Sequence, residues 1–208
     1  SYYIPLRHKT KQNLSLLDEE TQSNDEIVQI NFDDAIIHLK KIFEDPSIVK
    51  IGHNIKFDSL VLSQKKNGSI NLYPIHDTMC MSYVVDANRY SHKLDNLAKE
   101  FFDHDAIKYE DVCGKGVKQV TFDKVPIAEA THYAAEDADI TLRLYEELIT
   151  KLEAVESLRV LNQEIEIPLI EVLSEMEQNG AILNSKILNA QSKDLENRIK
   201  KLEKSAYS

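Results

Sequence analysis

The front half of the chain alternates short apolar runs with helical patterns. The apolar runs at residues 2–6 and 48–52 predict two β-strands. Apolar residues recur at helical spacing over residues 33–43 and again over 55–66, which predicts two helices. The polar stretch over residues 9–29 has no sustained period and predicts a mobile loop.

Further helices are predicted along the rest of the front part. Asp77 is placed to cap a helix that reaches Val85, and residues 94–102 repeat the helical spacing. Residues 103–124 are polar and irregular, and Pro126 suits the start of a long helix that runs to about Leu152. Strands that alternate with helices in this way predict an α/β fold in which helices flank a sheet.

The last fifty or so residues read differently, because they contain two helical patterns and one short apolar run between them. Pro168 is expected to kink the first pattern, and Asn179 with Gly180 marks its end. The second pattern, over residues 185–206, meets no stop signal. We therefore expect one domain at 1–155 and the helical start of a second at 156–208, in a piece of a longer protein.

Composition and charge narrow the class of protein. The net charge of −10 argues against a long contact with duplex DNA, because such binding needs Lys and Arg to neutralise phosphates. It is compatible with an enzyme whose carboxylates gather divalent cations. No run approaches the roughly 20 apolar residues that span a bilayer, so we expect a cytoplasmic protein without a membrane partner. Cys80 and Cys113 lack a metal-binding spacing and are interpreted as reduced, structural residues.

The first candidate site lies where the predicted strand at 48–52 meets the next helix. Asn54 and Asp58 are four residues apart and so share one helix face at the carboxyl end of that strand. Ligands of α/β proteins bind at this edge of the sheet. Taken alone, such a pair is more often a helix cap and a solvated carboxylate.

The second candidate site lies on the long helix. Tyr133 and Asp137 share one of its faces, and the expected buried stripe beside them comprises Ala134, Ala138, Leu142, Tyr145 and Leu148. Taken alone, this pair is more often a core tyrosine beside an exposed acidic face. A carboxylate from each of two helices, with a tyrosine hydroxyl beside one of them, is nevertheless what two-metal hydrolysis of a phosphodiester requires. Glu136 and Asp139 are given no role, since charges clustered on a helix usually face solvent.

These motifs together resemble the 3′-to-5′ exonuclease domain of family A DNA polymerases over nearly the whole chain. The second exonuclease motif is matched by His53-Asn54-x-x-Phe57-Asp58, and the third by residues 133–139. Supporting stretches occur in the expected order, at 77–79, 94–98, 114–116 and 121–122. The resemblance implies a ribonuclease H-like 3′-to-5′ exonuclease fold that removes mispaired 3′ nucleotides with Mg²⁺ or Mn²⁺.

The resemblance also implies roles for single residues. Asp58 and Asp137 match metal-binding carboxylates, and Tyr133 matches the tyrosine that orients the attacking water. Tyr109 falls where the family stacks an aromatic ring on a base of the frayed strand.

The other implied substrate contacts come from the second motif and from beyond the domain. His53, Asn54 and Phe57 are expected to contact the substrate. The implied partners are the single-stranded 3′ end of DNA and the remainder of the same polymerase chain.

The first exonuclease motif of the family, an Asp-x-Glu on a strand, does not appear. Asp18 and Glu20 have the right letters, but they lie in a polar stretch where a ligand-bearing strand would be apolar on its buried face. We therefore expect the sheet to lack its first strand and this polypeptide alone to have little or no exonuclease activity. The gap in the sheet makes dimerisation or domain exchange a hypothesis.

Two alternatives stay open for the function. One is an exoribonuclease that resembles ribonuclease D, although the segment at 114–116 and the tail argue against it. The other is a catalytically silent scaffold of a family A polymerase, which Asp58, Tyr133 and Asp137 argue against.

Overall fold

The computed structural model describes residues 1–9 and 29–207 and divides the chain into two compact units, Ser1–Ser174 and Glu175–Ser208. Most of the predicted loop at 9–29 lies outside the described residues. Its two ends meet, because the His8 N–H donates to Gln29 Oε1 over 2.7 Å and Gln29 Nε2 donates back to the His8 carbonyl over 2.9 Å.

The described residues contain one parallel pair of strands, β1 (Lys50–Gly52) and β2 (Ile75–Asp77). Gly52 lies opposite Asp77, so the carboxyl ends of both strands meet at one edge. The predicted strand at 48–52 is confirmed in its second half. The strand predicted at 2–6 is wrong: a strand needs a partner for its backbone groups, and within the described part of the chain these residues form no ladder. Tyr3 instead packs edge-on against Phe122, with ring centroids 6.4 Å apart.

Helices make up most of the described structure. They are α1 (Phe32–Phe43), α2 (Ile55–Ser63), α3 (Thr78–Val85), α4 (Leu94–Phe102), α5 (Tyr109–Cys113), α6 (Ile127–Glu153), α7 (Glu156–Leu161), α8 (Ile167–Asn179) and α9 (Ser185–Ala206). The predicted helices are confirmed, but the segment at 103–124 is more regular than expected, since it contains α5 and two 3₁₀ turns. No helix of these described residues is long and apolar enough to cross a membrane.

The main core lies between α6 and the two helices α3 and α4. Its fully buried side chains are Met81, Leu97, Ala98, Ile140, Leu144, Leu148 and Leu152. The stripe expected on α6 is therefore partly wrong: Leu148 belongs to it and Tyr145 packs at its edge, but Leu142 is 49% exposed. Helix α6 is oriented so that residues 140, 144 and 148 face the core. Leu142 lies on the neighbouring face, which borders an open cleft.

A second cluster joins the sheet region to the following helices. Ile55, Ile70 and Leu72 pack with Ile170 of α8, so the first compact unit extends beyond the domain boundary expected at residue 155. Between α7 and α8 the chain makes a π turn, Asn162–Glu166, directly before the Ile167–Pro168 start of α8. A wider turn accommodates a residue that has no N–H and whose ring clashes with the preceding turn.

The orientation of α6 can be tested by comparing two leucines two residues apart. Leu144→Ala empties a fully buried position and should lower the free energy of unfolding by about 2–5 kcal/mol. Leu142→Ala, at the half-exposed neighbouring position, should change it by less than about 1 kcal/mol. Urea denaturation followed by circular dichroism measures both, and equal losses would contradict this orientation.

Candidate active site

A cleft of about 590 Å³ lies between the β1–α2 connection, the start of α4 and the middle of α6. It is lined by Ile51, Gly52, His53, Asp58, Leu94, Asp137, Ala138, Thr141 and Leu142. Asp58 and Asp137, which are far apart in the sequence, therefore face one cavity. No lysine or arginine is among the lining residues.

One wall of the cleft is formed by the tight connection between β1 and α2. A side chain at Gly52 would place its Cβ 2.8 Å from Cγ1 of the buried Ile55, which is too close without a shift. Asn54 has a left-handed backbone conformation, with φ 60° and ψ 46°. This is a conformation that Asn tolerates better than most residues. The connection turns the chain from strand to helix within two residues and brings Asp58 onto the first turn of α2.

His53 is held behind the cleft wall by Thr78. His53 Nδ1 lies 2.9 Å from Thr78 Oγ1, and the same hydroxyl donates to the Gly52 carbonyl over 3.2 Å. The Thr78 hydroxyl thus links the imidazole to the end of β1. Burial lowers the pKa of His53. The side chain is therefore a neutral imidazole, held by Thr78 and also influenced by the backbone of His92.

The two carboxylates of the cleft are both harder to ionise than usual. The walls of the cleft remove water from Asp58 and raise its pKa, and the negative charge of Asp77 raises it further. Burial raises the pKa of Asp137 to about 6, against the lowering effect of its hydrogen bond with Tyr133. The charges of Glu136 and Asp95 also act to raise it. The cleft thus contains two carboxylates with raised pKa values and, among its lining residues, no lysine or arginine that would neutralise them.

Tyr133 is fixed by contacts on two sides. Its hydroxyl is hydrogen-bonded to Asp137, and burial followed by the charge of Asp137 raises the pKa of the phenol well above its usual value. Its ring packs against Phe122 and Tyr109, with centroid distances of 5.8 and 6.3 Å. Tyr109 also stacks on Phe122 at 6.4 Å and remains 43% exposed. The sequence included Phe122 only in the supporting stretch at 121–122 and did not place it in this aromatic group.

The remaining predicted substrate residues lie at the start of α2. Asn54 precedes the helix and Phe57 is 63% exposed on its first turn. Neither lines the cleft itself.

The acidic neighbours of Asp137 have separate structural contacts. Glu136 lies 2.8 Å from His104 Nε2 and accepts a hydrogen bond of 2.7 Å from the Ile107 N–H, so it anchors the segment that leads into α5. Asp139 is exposed and lies 3.8 Å from Arg143 one turn along α6. Sequence alone did not separate these two roles.

The donor set of the cleft fits a divalent cation in its chemistry but is small. Carboxylate oxygens are the ligands that Mg²⁺ and Mn²⁺ prefer. Within residues 1–9 and 29–207, however, no group of three or more Asp, Glu, His or Cys side chains is close enough to hold an ion. Asp58 and Asp137 thus have the ligand chemistry that such an ion prefers, but the described residues bring no third side chain of these types beside them.

Comparisons with known proteins match the chain to one family and to several relatives. A model of the 3′-5′ exonuclease family matches residues 5–153. The chain is 41% identical over 179 residues to DNA polymerase I of Pseudomonas aeruginosa, covering 86% of this chain and 20% of that protein. It is 40% identical over 205 residues to DNA polymerase I of Rhizobium leguminosarum, covering 99% of this chain and 19% of that protein.

The class of protein is that of the nucleases that act from a 3′ end: the chain belongs to the 3′-5′ exonuclease family. More particularly, it corresponds to the exonuclease part of its DNA polymerase I relatives and spans about a fifth of their length. A solved structure described as the POL domain of Pol1 from M. smegmatis in complex with DNA primer-template and dNTP has a TM-score of 0.59 at 22% identity. The match covers 87% of this chain and 27% of the chain in that structure, and it shows that the two share a fold.

The raised pKa of Asp137 predicts a gain of stability on removal of its charge. Because the folded-state pKa of about 6 exceeds the ordinary 3.8, the folded state binds the proton more tightly than the unfolded chain. The ionised side chain therefore destabilises the fold above this pKa, and the cost disappears as the pH falls towards the lower value. Asp137→Asn should raise the free energy of unfolding at neutral pH by about 1 kcal/mol, allowing for solvent screening.

Thermal unfolding between acidic and neutral pH in the presence of EDTA measures this difference. The advantage of Asp137→Asn over the unaltered chain should shrink as the pH is lowered. Asp139→Asn, two residues along on the exposed face, is the matched control and should show no such trend. A stability difference for Asp137→Asn that is independent of pH would contradict the account.

Proposed function

We propose that this domain hydrolyses the terminal phosphodiester bond at a single-stranded 3′ end of DNA, as the proofreading part of a family A DNA polymerase. One observation carries the proposal: Asp58 and Asp137 come from distant parts of the sequence and face the same cleft with raised pKa values. Two desolvated carboxylates without a basic neighbour favour a cation between them. Membership of the 3′-5′ exonuclease family supports the same reaction.

In this proposal Asp58 and Asp137 provide carboxylate ligands for Mg²⁺ or Mn²⁺. When bound, such ions supply the positive charge that stabilises charge developing on the phosphate. The Tyr133 hydroxyl donates a hydrogen bond to Asp137. The lone pairs of the Tyr133 oxygen then remain free to accept a hydrogen bond from the attacking water and so to orient it. The raised pKa keeps this hydroxyl protonated at neutral pH, as the role requires.

The aromatic group beside the cleft supports a single-stranded substrate. Tyr109 is 43% exposed and is held by Phe122 and Tyr133, which suits it to stack on a base without reading sequence. Asn54 and Phe57 lie at the start of α2 and would contact the same strand. A neutral His53 adds no positive charge there.

We further propose that the tail belongs to the polymerase part of a longer chain, from about residue 156. Exposed apolar side chains on α9 support this assignment, since the helix leaves Leu188, Leu195 and Leu202 uncovered. The expected ribonuclease H-like fold of residues 1–155 remains part of the proposal, and the parallel pair β1–β2 joined through α2 is compatible with it. A cytoplasmic location follows from this role in DNA synthesis.

The alternative of a silent scaffold has one observation in its favour. The described residues bring two acidic ligands to the cleft and no third. A two-ion site needs more ligands than these. The test of function therefore has to include a form of the protein that extends upstream of residue 1.

The first experiment follows degradation of 5′-labelled single-stranded DNA with Mg²⁺ or Mn²⁺. The upstream-extended form should release nucleotides from the 3′ end, and Asp137→Ala in that form should slow cleavage by about a thousandfold, because a lost metal ligand costs several kcal/mol. Asp139→Ala, on the exposed side of the same helix, is the control and should retain activity. An inactive extended form would favour the scaffold.

A further inference from the structure

Asp77 is the most buried carboxylate of the cleft region, at 1% exposure, and it ends β2. Its Oδ1 accepts hydrogen bonds from the N–H groups of Met79 over 2.8 Å and Cys80 over 3.4 Å. These are the contacts of an ordinary N-cap, and they satisfy the first donors of α3. By themselves they account for an Asp before a helix and for nothing more.

The same carboxylate also holds the start of a second helix. Oδ1 accepts from the Asn54 N–H over 3.0 Å, and Oδ2 accepts from the Ile55 N–H over 2.9 Å. The helix α2 has no side-chain cap of its own. Asp77 therefore satisfies donors at the start of both helices, which the parallel pairing of β1 with β2 brings together. Two helix N-termini directed at one carboxylate also compensate its buried charge.

The turn that Asp77 holds is the one that carries Asp58. Asn54 is in the left-handed conformation, which persists only where surrounding contacts hold it, and its N–H is one of the two bonded to Asp77. Asp58 follows on the first turn of α2, so a rotation of this turn moves its carboxylate relative to Asp137 across the cleft. The bridge thus fixes a distance on which joint cation binding depends.

We propose that Asp77 is a positioning residue, whose buried carboxylate fixes the first turn of α2 and thereby sets Asp58 opposite Asp137. This inference rests on the proposed cation-binding role of those two carboxylates. Asp77 touches neither the ion nor the substrate in this account. Apart from the effect of its negative charge on Asp58, it acts through the backbone N–H groups of Asn54 and Ile55.

The central variant is Asp77→Ser, because serine is a good N-cap for α3 and too short to reach α2 as well. Binding of Mn²⁺ to the 208-residue chain, measured by calorimetry, should weaken about 10- to 100-fold, as when groups that orient a metal ligand are lost. In hydrogen exchange by NMR, the Ile55 amide should exchange at least about tenfold faster, since its bond to a charged acceptor is removed.

Two further variants separate positioning from a loss of folding. Asn31→Ser changes the cap of α1, where Asn31 accepts from the Asp33 and Asp34 N–H groups, and should leave both Mn²⁺ affinity and Ile55 exchange unchanged. Asp77→Asn is nearly isosteric. The asparagine keeps one oxygen that can accept from the Met79 N–H, while its NH₂ group faces the Ile55 N–H. It should keep Met79 protected, speed exchange at Ile55 and weaken Mn²⁺ binding.

The outcomes distinguish the role of Asp77 from the proposed function. Unchanged Mn²⁺ affinity in both Asp77 variants, with binding lost in Asp58→Ala, would overturn the role of Asp77 and leave the proposed function standing. Unchanged binding in Asp58→Ala would overturn the proposed function and this role together. Unchanged Ile55 exchange in both Asp77 variants would overturn the bridge itself, whatever the metal data show.

Discussion

The packing of α6 is the constraint on which the rest of the structure depends. One face of this helix closes the core against α3 and α4 through Ile140, Leu144 and Leu148. Tyr133 and Asp137 continue that face towards the N-terminal end of the helix, where apolar side chains would otherwise follow. A carboxylate in this position is partly desolvated, which is why its pKa rises. The ionised Asp137 therefore lowers the stability of the fold at the place where the proposed chemistry needs a carboxylate without a positively charged partner.

The opposite wall of the cleft depends on the short parallel sheet. Because β1 also packs against α6, the connection after Gly52 is held at a fixed distance from Asp137. The Asp77 carboxylate then fixes the direction in which α2 leaves that connection. The cleft is therefore assembled from rigid elements, and its two carboxylates carry charge that nothing in the lining compensates.

Helical periodicity was sufficient to predict the helices and to place Asp58 and Tyr133 with Asp137 on the elements that carry them. Periodicity on α6 could not decide which of two adjacent faces is buried, because alanines and leucines occur on both. The apolar run at 2–6 was misjudged for a different reason: strand formation depends on a partner elsewhere in the chain, whereas helix formation is local. The second role of Asp77 was invisible for the same reason, since its contacts with Asn54 and Ile55 span more than twenty residues.

The central claim is that Asp58 and Asp137 act on one cation in one cleft. Crystals of the chain soaked in Mn²⁺, with anomalous diffraction recorded near the manganese edge, test it most directly. The account predicts an anomalous peak within coordination distance of a carboxylate oxygen of both residues, and its loss in crystals of Asp137→Asn. Peaks confined to other surface carboxylates, with none in the cleft, would contradict it.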